Sequence, residues 1–367
     1  MTRRFRILIL SGILSLLATA WSGLAEAAIA ESPLKIGFLM VGPVNDSGYN
    51  WAHNQGRLYL ESKLAGRVQT TFAEKVPESS EAERVMEKMI AAGTKVIFMT
   101  SYGYLEPGLR VASRHPDVIF MQANRPNKVY PSNVGSYIIN FEDLMYAAGI
   151  VAGRMTKKSD IGYELGHPVS LLIREVNAFT LGAQSVNPKA KVHVVWTNSW
   201  ADPPTEAEAA KSLIDRGSDV IVSHFDSSMA ALQTAEKNGA FTIGCHADLH
   251  KSSKGWLTGQ CWDWGPLYVR LVNSILDGSW KAGEQRYGVK EGYVHLCPYG
   301  SVVPNTVRQE ADSAVNRMKQ GKWTLFHGPL KDRDGKERIA QGENLNDRAL
   351  DSMDWFVAGV EGALPKK

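Results

Sequence analysis

Cys245, His246, Asp248 and His250 bring a thiol, two imidazoles and a carboxylate together within six residues. Those are the donor types of zinc sites. Their spacing matches no standard zinc pattern, and along a strand Cys245 and His246 face opposite sides. A second cluster stands in the segment GPVNDSGYNW, where Asn45, Asp46, Tyr49, Asn50 and Trp51 lie close together. Rings beside amides and a carboxylate suit a flat heteroaromatic ligand. The rings stack on its faces, at roughly 1–3 kcal/mol per base, and the polar groups read its edge. Asp46 is the leading edge reader, because a carboxylate accepts from an exocyclic amine and a ring N–H. Its rival use is as a turn or helix cap. Tyr49 and one tryptophan are expected to sandwich the ligand, although any single tryptophan is better explained as a core side chain.

Other candidates follow from position. Tyr102 lies just after one apolar run, and Trp200 in the stretch after another. Asn140, with Glu142, stands where the chain is expected to cross between lobes. Asp226, with His224, follows the run Val220–Ser223. In open α/β sheets, loops at strand ends face the ligand crevice. Enzyme signatures are thin: G-x-S-x-G, H-E-x-x-H, Walker A and G-x-G-x-x-G are all missing. The expectation is a binding protein without cofactor or metal. A hydrolase or a metal-binding protein is the rival class.

The chain has 367 residues, 44% hydrophobic and 22% charged, enough for two ordinary globular lobes. Residues 1–30 read as an export leader. Arg3, Arg4 and Arg6 precede the apolar run Ile7–Ala20, and Ala25-Glu26-Ala27 offers small residues for cleavage. That run is shorter than the roughly 20 residues of a membrane span. No cysteine follows it to carry a lipid, so the expected location is the periplasm. Removing three Arg and one Glu lowers the net charge from +3 to +1. A near-neutral chain gives no electrostatic case for nucleic acid. Three cysteines allow one disulfide; Cys245 and Cys261, ending neighbouring strands, are a possible pair, and three buried thiols are the alternative.

Strand-like runs alternate with amphipathic stretches. The first series has strands at Ile36–Met40, Val68–Phe72, Val96–Met99, Val118–Met121 and Val134–Ile139. Helices are expected at His53–Leu64, Ser80–Ala92, opened by a Ser80/Glu83 capping box, and Gly108–Arg114. A second series of similar length begins with a small-residue helix at Leu144–Met155. This order predicts parallel sheets with helices on both faces, in two Rossmann-like lobes joined by a hinge. One lobe is expected from 31–140 and about 263–300, the other from 141–262 and about 301–367.

The chain resembles the basic-membrane-protein (BMP) family of ABC-transporter solute receptors over about Leu34 to Gly362. Asp46-Ser47-Gly48-Tyr49-Asn50 is similar to the family's D-x-S-F-N loop. Gly244 to Asp248 is similar to its G-V-D-x-D strand end, and Gly328-Pro329-Leu330 with Asp332 and Gly335 to its C-terminal motif. The resemblance implies a type I periplasmic binding fold, a purine ligand, a permease and ATPase as partners, and a monomer. It implies that Asp248 meets a ribose hydroxyl. In the family's nucleoside receptors a Lys also holds the ribose; Trp262 stands in its place here, and His246 replaces the first acidic residue of G-V-D-x-D. A ring in place of an ammonium fills the space of a sugar. The expected ligand is therefore a free base such as adenine, with a nucleoside as the alternative.

Overall fold

A computed structural model describes residues 32–127 and 129–364. The expected leader lies outside the described residues. From Leu34 onward the chain alternates strand and helix. The first series is β1 (Leu34–Leu39), α1 (Tyr49–Lys63), β2 (Val68–Ala73), α2 (Ser80–Ala91), β3 (Val96–Met99), α3 (Leu105–Ala112), β4 (Ile119–Ala123) and β5 (Val134–Ile139). The second is α4 (Glu142–Met155), β6 (Asp160–Leu165), α5 (Ser170–Val186), β7 (Lys191–Trp196), α6 (Pro203–Arg216), β8 (Val220–His224), α7 (Met229–Lys237), β9 (Phe241–His246) and β10 (Trp256–Trp262). The remainder is α8 (Trp264–Leu276), β11 (Gly283–Tyr287), β12 (Val294–Leu296), α9 (Asn305–Lys319), β13 (Leu330–Lys331), β14 (Glu337–Ile339), α10 (Asp347–Asp351) and β15 (Val360–Glu361).

Among the described residues the strands form two main sheets. One runs β11-β5-β4-β3-β1-β2, the other β12-β10-β9-β8-β6-β7-β15. Pairing is parallel except for β12, which lies antiparallel to β10. Strands such as Val96–Met99 and Val134–Ile139 are buried throughout, as parallel strands covered on both faces must be. Phe38 pairs in register with Phe98, and their rings stack at 4.8 Å.

The chain passes between sheets at 139–142, 262–264 and 287–294. The last crossing falls before residue 300, because β12 joins the edge of β10 and draws the chain back early. The crossings touch: Asn140 N donates to Tyr287 O at 2.7 Å, and Asp263 N to Tyr293 O at 2.9 Å.

Helix starts differ from expectation in physical ways. Pro107 and Gly108 fall inside the first turn of α3, where a missing N–H costs nothing. Ser79, not Ser80, caps α2 by accepting from Glu81 N. The start of α1 moves back four residues to Tyr49, so the aromatic segment forms its first turn.

The small residues of α4 let α5 come close. A Cβ on Gly149 would stand 2.1 Å from Phe179 O, and one on Gly182 would stand 1.9 Å from Tyr146 O. Backbone oxygens cannot move aside as a flexible side chain does. Gly182→Ala is expected to destabilise by about 3 kcal/mol, at the upper end of ordinary overpacking. Urea denaturation measures it. An unchanged midpoint would show that the two helices can separate at little cost.

Candidate functional site

A cleft whose empty space, open solvent included, is about 480 Å³ lies between the two sheets. Its walls come from the carboxyl ends of strands in both lobes. Ser101 and Tyr102 follow β3, Asn124 follows β4, and Phe141 follows β5. In the second lobe Val169 and Leu172 follow β6, Trp200 follows β7, His224 ends β8, and Phe225 and Asp226 follow it. His246 ends β9 and Trp262 ends β10. Tyr49 enters from the first turn of α1. Ligands in open α/β sheets sit at such strand ends.

Tyr49 donates its hydroxyl to Thr100 O. Burial, then Tyr137, Asp226 and Glu78, hold its pKa well above the ordinary value, so the ring is a neutral phenol. Its ring meets His246 edge-on at 4.9 Å and Trp262 at 6.0 Å and 75°. Tyr49 and Trp262 therefore do not form a parallel sandwich. Trp262 is fixed instead by Phe141 at 5.2 Å and by its Nε1, which donates to Gln260 Oε1 at 3.0 Å.

Asp226 is buried, and burial raises its pKa well above the carboxylate range; Asn50 opposes this, while Asp46, Glu78 and Glu206 add to it. Its Oδ2 accepts from Asn50 Nδ2 at 2.9 Å, and its backbone oxygen accepts from Tyr49 N at 2.6 Å. These bonds tie the lobes together at the cavity's edge. A Cβ on Gly48 would stand 1.8 Å from Asp226 O, so only glycine permits this approach.

Asp46 lies beside the cavity rather than in its wall. Its oxygens accept from Gly48 N, Asn50 N, Trp51 N and Asn50 Nδ2 at 2.8–3.0 Å. The carboxylate serves the orphan N–H groups of the α1 start, which leaves little for an edge. Asn50 bridges Asp46 and Asp226 outside the lining. Asn45 is exposed. Trp51, 39% exposed, faces a shallow outer hollow with Tyr59 and His295. Asn140 belongs to the lobe crossing, its Oδ1 buried without a partner. Asp248 is exposed and pairs with His250 Nδ1 at 2.7 Å, outside the lining. Of the expected site residues, the cavity wall thus gathers Tyr49, Tyr102, Trp200, Asp226 and Trp262.

The cysteine pairing also differs. Cys261 is bonded to Cys297, and Cys245 is a buried free thiol. Cys245 lies opposite Gln260 in the parallel register and touches it, whereas Cys261 is next along the strand and faces the other way. The β12 edge brings Cys297 to Cys261.

His224, His246, Asn124 and Phe141 complete the wall, and Glu175 stands behind His224. Asn124 and Phe141 follow strand ends and were open to the rule that found Tyr102. Glu175, within α5, gives no such signal. It pairs with His224 Nδ1 at 2.6 Å and accepts from Tyr163 at 2.5 Å and Gln260 at 3.3 Å. Glu175, His224 and Cys245 have ligand atoms within 4.8 Å of one another. A soft cation would need to displace the direct Glu175–His224 contact. His246, Asp248 and His250 are not among the three.

The family model for PnrA-like ABC transporter substrate-binding proteins (Bmp) matches residues 34–327. A purine-binding protein of Brucella abortus is 40% identical over 94% of this chain and 97% of its own length. A putative ABC transporter glucose-binding protein of Haloferax volcanii is 32% identical over 89% of this chain and 80% of its own. Solved solute-binding proteins of ABC systems share the architecture. That of Aeropyrum pernix has a TM-score of 0.69 at 16% identity, covering 87% of this chain and 96% of its own. That of Conexibacter woesei has 0.64 at 23%, covering 80% and 98%. The fold is the type I periplasmic binding fold. Among the described residues, no helix is long and apolar enough to cross a membrane. With its cavity at the strand ends of two hinged lobes, the chain belongs to the Bmp family of ABC transporter substrate-binding proteins.

Proposed function

We propose that this protein is a periplasmic receptor that takes a free purine base, adenine first, and delivers it as a monomer to an ABC permease and ATPase. The observation that carries the reading is Trp262. It projects into the cavity with its indole N–H already bonded to Gln260. It offers the ligand a ring face and takes up room that a sugar would need. The aromatic and aliphatic wall suits a flat base, with Asp226 as edge reader. The purine-binding relative from Brucella supports the ligand class. The Cys261–Cys297 bond suits an exported protein. The hinge and the bonds from Asp226 to α1 support closure around the base, stabilised by contacts that both lobes share.

Thermal unfolding tests this against adenine, guanine, hypoxanthine, xanthine, adenosine, guanosine, glucose and zinc. A ligand that binds only the folded state adds about 2.7 kcal/mol at 100 times its dissociation constant. The expected result is a higher Tm with at least one free base and little change with its nucleoside. A shift with nucleosides alone would return the ligand to that class. A shift with glucose or zinc alone would remove purines from the account.

A further inference from the structure

A free purine base carries a ring N–H where its nucleoside carries the sugar. A receptor that prefers the base needs an acceptor facing that N–H. His246 has the required chemistry. It ends β9 at φ +71°, a left-handed conformation that is uncommon outside glycine and is often held at functional sites. The ring is 3% exposed and lines the cavity. Burial, then His224 and His53, push its pKa well below the ordinary value, against a backbone hydrogen bond with Phe225. The ring is therefore neutral. Its Nδ1 is buried without a partner. A neutral imidazole that donates from one nitrogen presents a bare lone pair on the other.

Three rings pack around the imidazole. Tyr49 stands at 4.9 Å, Trp262 at 5.1 Å and His224 at 4.7 Å, each edge-on to the His246 ring. His224 is held from behind by Glu175, which Tyr163 and Gln260 hold in turn.

We propose that His246 Nδ1 accepts the ring N–H of a bound purine base and so disfavours purines substituted at that nitrogen. Glu175, acting through His224, is the positioning residue. The inference rests on the purine-base reading. It adds a specificity determinant, because a site that pairs a polar atom of its ligand rejects analogues lacking it.

Titration calorimetry of the wild type, His246→Gly, His246→Asn, Glu175→Gln and Glu175→Asp with adenine, 7-methyladenine, 9-methyladenine and adenosine tests the assignment. Glycine and asparagine both tolerate a positive φ, so these variants keep the backbone, and near-ultraviolet circular dichroism checks it. The wild type should prefer adenine over at least one N-methyl analogue by about a hundredfold or more. His246→Gly should weaken adenine about tenfold or more and leave the methylated bases little changed, which collapses the ratio. His246→Asn, which keeps an acceptor, should retain part of the ratio. Glu175→Gln should narrow it and Glu175→Asp restore part of it. Adenine binding with the same ratio in wild type and His246→Gly overturns this assignment alone. A wild type that binds adenine and both methylated bases equally does the same. A folded wild type that binds none of the four overturns the purine-base reading and this one with it.

Discussion

Asp226→Asn is expected to stabilise the unliganded protein near neutral pH while weakening its hold on a purine base. Asp226 is buried, and its native pKa lies well above the unfolded value of 3.8. Between those two values the native state binds more protons than the unfolded state. The stability this group contributes is thus fully present below about pH 3.8 and is lost as pH rises through the native value. An amide needs no proton to be neutral, so the variant escapes that loss. It also keeps an oxygen for Asn50 Nδ2, which now donates to Asp226 Oδ2 at 2.9 Å. The gain should be on the order of 1–3 kcal/mol at pH 7–8 and should vanish near pH 4. Thermal unfolding across pH reads it directly. Binding should move the other way, by about tenfold or more, because the edge loses its carboxyl group. Such opposed effects are usual where a site holds a costly group for function. A variant no more stable than wild type at pH 8 would mean that Asp226 is comfortably ionised in the fold.

The second large effect concerns the Cys261–Cys297 bond. It links positions separated by 36 residues. Chain entropy assigns about 3.8 kcal/mol to closing a loop of that length. Cys261→Ser with Cys297→Ser should lower the urea midpoint accordingly, and reductant should lower the wild type to the same value. Cys245 is a buried free thiol, so Cys245→Ser should leave the reductant response intact. If reductant left the wild-type midpoint unmoved, the bond would contribute nothing and the β10–β12 pairing would hold the edge alone. The bond flanks Trp262, so its loss should also loosen a ring that lines the cavity.

The alternation of strands and helices was legible because it is local. A short continuous apolar run places Val96–Met99, and a longer run of small and apolar residues places Leu144–Met155, with no knowledge of the partner segment. The parallel two-lobe arrangement then follows from element order. Side-chain duties were less legible because they depend on neighbours distant in sequence. Asp46 has the chemistry of an edge reader and of a cap, and only the position of the α1 start decides between them. The disulfide required knowing that β12 returns antiparallel to β10. Tyr102, Trp200 and Asp226 could be nominated because strand ends face the crevice. Asp248 follows a strand end too, yet it turns outward to His250. Glu175 sits in a helix whose residues 172–180 are all buried, and its pairing with His224 comes from the fold alone.

Parallel calorimetric titrations of the folded protein with adenine and with adenosine bear on the reading of the cavity as a free-base site. The protein should first be unfolded and refolded to remove any carried ligand. The expected result is saturable binding of about one adenine per chain, with adenosine weaker by about a hundredfold or more. Equal or tighter binding of adenosine would contradict the assignment of Trp262 and His246 to base selection, and no binding of either would contradict the purine assignment itself.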